Sequence, residues 1–163
     1  MKVFIKNKLI SIGGSSEVYN ENQEVIYNVK GKVFSPTKKK LMYDSNGNLL
    51  YVIRNKYWTF IYDSVFVYDA NGNKVATIKK GKWSIKPVYK IIDSVDNLEI
   101  KGKFFSRHAQ ILRNEQVVAN MSKEFTIIND AFTLEAEEKD IPFFTALVIA
   151  FDNFRDNRNK DRD

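Results

Sequence analysis

The chain has 163 residues, 26 of them Lys or Arg against 20 Asp or Glu, giving a formal net charge of +6, with 44% hydrophobic residues and no cysteine. This is a globular composition at the size of one domain, and it excludes disulfides, thiolate nucleophiles and Cys-ligated zinc. A pI near 9.3 favours polyanionic partners such as phospholipid head groups, nucleic acid or acidic proteins, although surplus lysine also serves solubility.

In chain order, Met1-Lys2-Val3-Phe4-Ile5-Lys6 is broken by lysine too often to be the apolar core of a signal peptide, so a cytoplasmic chain is expected and Val3 to Lys6 reads as a first strand. Gly13-Gly14-Ser15-Ser16 lacks a lysine at phosphate-loop spacing and precedes a strand, so it reads as a connection. A unit of apolar strand, polar turn, apolar strand and basic residue then recurs about every 25 residues. Its first copy runs from Val18 and Tyr19 through Asn20-Glu21-Asn22 to Val25, Tyr27 and Val29. The two clearest copies follow: Tyr43-Asp44-Ser45-Asn46-Gly47-Asn48 into Leu49, Tyr51 and Ile53, and Tyr68-Asp69-Ala70-Asn71-Gly72-Asn73 into Val75 and Ile78. Asn-Gly between alternating apolar residues predicts a hairpin, because both residues tolerate the positive φ of a tight turn.

Two further copies turn at Asp93 to Asn97 and at Arg113-Asn114-Glu115, and Phe132 to Ala136 reads as a last strand. Five hairpins plus the two flanking strands make about twelve. An open twisted sheet of that width curls or splits, so a closed antiparallel barrel is expected. A barrel of this size has a bore wide enough to need a filler. Ile141 to Phe151 suits it: Asp140 and Pro142 can start a helix, and only Thr145 is polar from Phe143 to Phe151, with its hydroxyl expected to bond back to the backbone. The stretch has 11 residues where a spanning helix needs about 20, so no transmembrane anchor is expected. The expected organisation is a single domain over 1–155, with its central helix at about 141–155, and a polar, disordered tail over 156–163.

The tandem Tyr-Asp-x-Asn-Gly-Asn turns, the stretch from Val75 to Tyr89 and the closing apolar helix with its Asp152 resemble the LURP-one-related family. The likeness runs from Val3 to about Phe154. It implies a tubby C-terminal-like barrel, distantly similar to phospholipid scramblases. It also implies a ligand class, because in tubby proteins the domain meets phosphoinositide head groups at the membrane. No lipid-binding motif of tubby maps onto individual residues here. The scramblase comparison is weakened by the lack of cysteines to acylate and by the short helix.

If the strands follow the repeat, Asp44, Asp69, Asp93, Asp96 and Glu115 gather at one rim, and the other rim receives basic strand ends and connections, among them Lys30, Lys32, Lys38, Lys39, Lys40 and Arg54. Candidate anion or lipid ligands are Lys56, Lys79, Lys80, Lys82, Lys86, Lys101, Lys103 and Arg107. Charges that merely dress strand ends are the plain alternative. Trp58 and Trp83 stand among basic residues and are candidates for an interaction surface, although such aromatics more often belong to a barrel wall. His108 is the only histidine, so a histidine cluster for catalysis or metal is excluded. The Asp44 and Asp69 turns place glycine fourth instead of sixth, which does not suit a calcium loop.

These features point to a non-enzymatic, monomeric module with no cofactor and no metal. It is expected to be cytoplasmic, or peripheral at the membrane, and to meet an anionic membrane surface, a phosphoinositide-like head group or another polyanion. A protein-interaction scaffold using Trp58 and Trp83 is the alternative, and a nucleic-acid partner is not expected.

Overall fold

The computed structural model describes residues 1–6, 15–32, 34–56, 64–80, 88–92, 97–103, 108–125 and 130–159, with backbone alone for 80, 88–90, 103, 123–125, 130–131 and 154–159. Twelve strands follow one another: β1 (Lys2–Lys6), β2 (Ser15–Tyr19), β3 (Val25–Gly31), β4 (Lys40–Asp44), β5 (Leu49–Asn55), β6 (Ser64–Asp69), β7 (Lys74–Lys80), β8 (Val88–Ile92), β9 (Leu98–Lys103), β10 (His108–Arg113), β11 (Gln116–Phe125) and β12 (Asp130–Ala136). Each pairs antiparallel with its sequence neighbours, and β1 closes the ring against β12, with Val3 opposite Leu134 and Ile5 opposite Phe132. Closure leaves none of the twelve described strands at a free edge.

Period-two alternation gives the barrel its dry face. Val3 and Ile5, Val18, Val29, Met42, Ile53, Val67, Ala76 and Ile78, Ile100, Ala109 and Ile111, Ala119 and Met121, and Phe132 and Leu134 are all buried. Gly102 is required in β9, because its φ is +119° and a Cβ there would stand 2.8 Å from the carbonyl oxygen of His108.

The hairpin turns differ from the sequence expectation in one respect. Only the glycine of each Asn-Gly pair takes a positive φ, +85° at Gly47 and +86° at Gly72. The amide of Gly47 donates to the Asp44 carbonyl at 3.1 Å, and that of Gly72 to the Asp69 carbonyl at the same distance. Each is a four-residue turn closed by a left-handed glycine, with the register shifting beside it, between Met42 and Tyr43 and between Val67 and Tyr68. The aspartate directs this geometry: the Asp44 carboxylate accepts the amides of Asn46 at 2.9 Å and Asn48 at 2.8 Å. Asn20 does the same for Asn22 and Glu24, both at 2.9 Å, and there Gln23 occupies the glycine position with φ 64°. The β10–β11 connection is the tight two-residue form, with positive φ at both Asn114 and Glu115.

A short 3-10 turn, Glu138–Asp140, leads into helix α1 (Ile141–Asn159), which runs past Arg155, where the sequence reading ended it. The helix packs against β5, β6, β7 and β12, and Ile141, Phe144, Ala146, Leu147, Val148, Ile149, Ala150 and Phe151 are all buried. The sequence predicts Asp140 as the helix cap; its carboxylate instead accepts both terminal nitrogens of Arg113, at 2.9 and 3.2 Å, which ties the helix entry to the end of β10. The Thr145 hydroxyl, expected to bond to the backbone, is fully buried with no hydrogen-bond partner.

The two ends of the barrel

The helix gives the barrel a direction. It enters at the end that carries the Asn20, Asp44 and Asp69 turns, where the Phe143 ring lies 6.0 Å from that of Tyr51. Its second half reaches the connection that follows β3, where Asn153 meets the Lys38 carbonyl, so its negative C-terminal dipole points toward the end to which the sequence assigns the lysines.

At the entry end, hydrogen bonding keeps acids charged. The side-chain amide of Asn48, then backbone amides, hold the Asp44 carboxyl below the ordinary aspartate value, and Asn73 acts likewise on Asp69. Burial, and then the neighbouring Asp69, pushes the Tyr51 hydroxyl up; burial, and then Tyr51, Glu138 and Asp44, does so for Tyr27.

At the far end the inward positions turn from apolar to polar. Lys40, which the sequence assigned to the basic rim, faces inward because it shares the strand face of Met42, and it meets Asp152 at 3.7 Å with side-chain exposures of 8% and 1%. Two residues past Ile53 on the same face, Asn55 is buried, and its backbone amide donates to the Thr37 carbonyl at 2.8 Å. Asn153, also buried, donates to the Lys38 carbonyl at 3.0 Å. The segment 37–40 thus links the helix at Asp152 and Asn153 to β5. The side-chain oxygen and nitrogen of Asn55 and the side-chain oxygen of Asn153 have no hydrogen-bond partner.

Outside this buried cluster lie further cations, of which Lys30, Lys32, Arg54, Lys56 and Lys79 are exposed and Lys39 is half-buried. Arg54 donates to the Tyr68 hydroxyl at 2.8 Å and lies over its ring, and Lys30 lies over the ring of Tyr43. Among the described residues, Lys32, Lys39, Lys56 and Lys79 have no acidic partner. They are contiguous: the Lys32 amide bonds the Lys39 carbonyl, the Asn55 amide bonds Thr37, the Lys56 amide bonds the Ser64 carbonyl, and Ser64 stands opposite Lys79.

Of the candidates taken from the sequence, Lys56 and Lys79 therefore belong to one basic patch. Lys101 lies apart on the outer wall of β9 and pairs with Glu99 at 3.2 Å. Lys80 and Lys103 close their strands, and their side chains lie outside the described residues, as do Lys82, Lys86, Arg107, Trp58 and Trp83 altogether. The sequence places Lys32 and Lys39 on the basic rim but not among the ligand candidates, and it places Lys40 on the rim although the fold buries it. Strand alternation from Met42 is the signal that separates Lys40 from Lys39. Among the described residues no three His, Asp or Glu side chains group to hold a metal, and no helix is long and apolar enough to cross a membrane.

The family model described as LURP-one-related matches residues 1–152. A Bacillus subtilis (strain 168) relative, the uncharacterized protein YxjI, is 27% identical over 153 residues, 93% of this chain and 92% of its own length. An X-ray structure of an Arabidopsis thaliana protein superposes with a TM-score of 0.68 over 94% of this chain and 90% of that one, at 18% identity.

Proposed function

The chain belongs to the LURP-one-related family, and from that premise we propose that it is a non-catalytic module that binds anionic phospholipid head groups through the basic end of its barrel. The observation that carries this reading is the run of unpaired cations Lys32, Lys39, Lys56 and Lys79 on consecutive structural neighbours, at the end opposite the acidic turns. The separation makes the domain a dipole that orients in the field of a negative surface. Each lysine held near such a surface contributes about 1 kcal/mol, an effect that fades within a Debye length. A helix-filled bore supports a role for the rim over one for the interior. In this reading the protein is a cytoplasmic monomer that visits the membrane periphery.

Vesicle flotation tests it. The protein should float with phosphatidylcholine vesicles only when phosphatidylglycerol or a phosphoinositide is included, and raised salt or Lys56→Glu with Lys79→Glu should release it. Equal flotation with both vesicle types, indifferent to salt and to these substitutions, would exclude the proposal.

A further inference from the structure

The β3–β4 connection carries an apolar side chain that the fold does not use. Phe34 is 97% exposed, far more than any other large apolar residue among those described; Val117, at 49%, comes next. Nothing in the core accounts for it, and a fully wet phenylalanine costs solubility.

The loop beneath it is tied internally. The Lys32 amide donates to the Lys39 carbonyl at 3.0 Å, the Ser35 amide to the Lys32 carbonyl at 3.3 Å, and the Lys38 amide to the Ser35 carbonyl at 3.0 Å. The Ser35 hydroxyl accepts the Lys39 amide at 3.0 Å and lies 3.1 Å from that of Thr37. Pro36 has no amide to satisfy. These bonds hold residues 34–39 in a fixed shape, so little further freedom is lost when the Phe34 ring leaves water. The base of the loop carries Lys32 and Lys39, and Lys56 and Lys79 continue the patch alongside.

We infer that Phe34 is a membrane wedge: as the lysines meet anionic head groups, its ring passes between them into the interfacial region of the bilayer. The inference rests on the proposed lipid binding and adds the apolar contact and its depth. The partner chemistry follows from the layout. Among the described residues no other large apolar side chain is exposed on this connection, and cations spread over the ends of several strands suit a plane of charge better than a protein hot spot or one buried ligand.

Because the chain has no cysteine, Phe34→Cys offers a unique position for an environment-sensitive fluorophore. With phosphatidylcholine–phosphatidylglycerol vesicles the probe should shift to the blue and be quenched by nitroxide-labelled lipid, and should do neither with phosphatidylcholine alone. Phe34→Ser should weaken partitioning about tenfold with an unchanged melting temperature. If the protein binds mixed vesicles with salt sensitivity while the probe stays unquenched and Phe34→Ser binds equally, the wedge is wrong and the basic patch stands. If it binds neither vesicle, both ideas fall. A blue shift on single-stranded oligonucleotide without any on vesicles also overturns the wedge, in favour of base stacking.

Discussion

Lys40 Nζ lies 3.7 Å from Asp152 Oδ2 with both side chains buried, so the second half of the central helix is held to β4 by an ion pair out of water. Two charges transferred from water gain little net stability from each other, but either one left alone in that setting is costly. Asp152→Ala or Lys40→Ala should each lower stability by about 3–5 kcal/mol. The pair Lys40→Met with Asp152→Leu should recover most of that loss. Urea unfolding of the four proteins measures the coupling, and additive single losses would show that the two charges act separately.

Thr145 presents a simpler case on the same helix. Its hydroxyl is fully buried without a partner, and an unsatisfied buried hydroxyl destabilises by about 1–3 kcal/mol. Thr145→Val removes the polar atom and keeps the branched shape. It should raise stability by about 1 kcal/mol and the thermal midpoint with it. A decrease would mean that the hydroxyl has a partner such as ordered water.

The turns make opposite predictions at equivalent positions. Gln23 adopts φ 64° where Gly47 and Gly72 stand in the other copies. A left-handed conformation costs a side-chain-bearing residue about 1–2 kcal/mol, partly offset by the greater chain entropy of glycine. Gln23→Gly should therefore stabilise by about 0.5–1 kcal/mol, and Gly47→Ala, with open space around the Cβ, should destabilise by about 1 kcal/mol from φ alone. Chemical denaturation of both variants checks the sign.

Most of this architecture was legible because two periods speak plainly. Alternation every second residue, punctuated by Asp-x-Asn-Gly, marks the strands, and a segment apolar all round suits the filler of the ring they form. What escaped was polar residues on inward faces. Lys40 reads as the third lysine of a basic run, but it shares a face with Met42; Asn55 reads as a strand end, but it shares one with Ile53. In both, alternation predicts burial and residue chemistry argues against it; the fold obeys alternation, with Asp152 meeting Lys40, whereas the Asn55 side chain is buried without a hydrogen-bond partner and its backbone amide is held by Thr37. Phe34 was missed for the converse reason: a loop residue belongs to no period, and its full exposure emerges only once the surrounding backbone has closed upon itself.

Acid should weaken the hairpins in a defined window. Asp44 and Asp69 have lowered values in the folded chain, so the folded state binds protons less readily than the unfolded one. Their contribution is present above the unfolded aspartate value, about 3.9, and is lost as pH falls through the lower folded values. Asn20 shows that an amide oxygen can hold the same turn. Asp44→Asn with Asp69→Asn should then fold well at neutral pH and lose less stability between about pH 4 and 2 than the parent. Parallel acid titrations of the two proteins would refute this.

The helix itself supplies the most decisive test. Ile141, Phe144, Leu147, Val148, Ile149 and Phe151 are buried against the barrel wall, each contributing about 1.5–3 kcal/mol, and their sum rivals the whole stability of a typical domain. Truncation after Asp140 also strands Lys40 without Asp152 and frees the segment 37–40 from Asn153. A chain ending at Asp140 should therefore collapse without a cooperative thermal transition and bind hydrophobic dye, even though all twelve strands are still encoded. Leu147→Asp should reproduce much of that failure in the full-length chain by placing a charge inside the bore, whereas Lys139→Ala, at the solvent-exposed helix approach, should leave the transition where it was. A soluble truncated protein with a sharp melt and native strand content would mean that the barrel closes on its own and that the helix is an attachment to it, not its core.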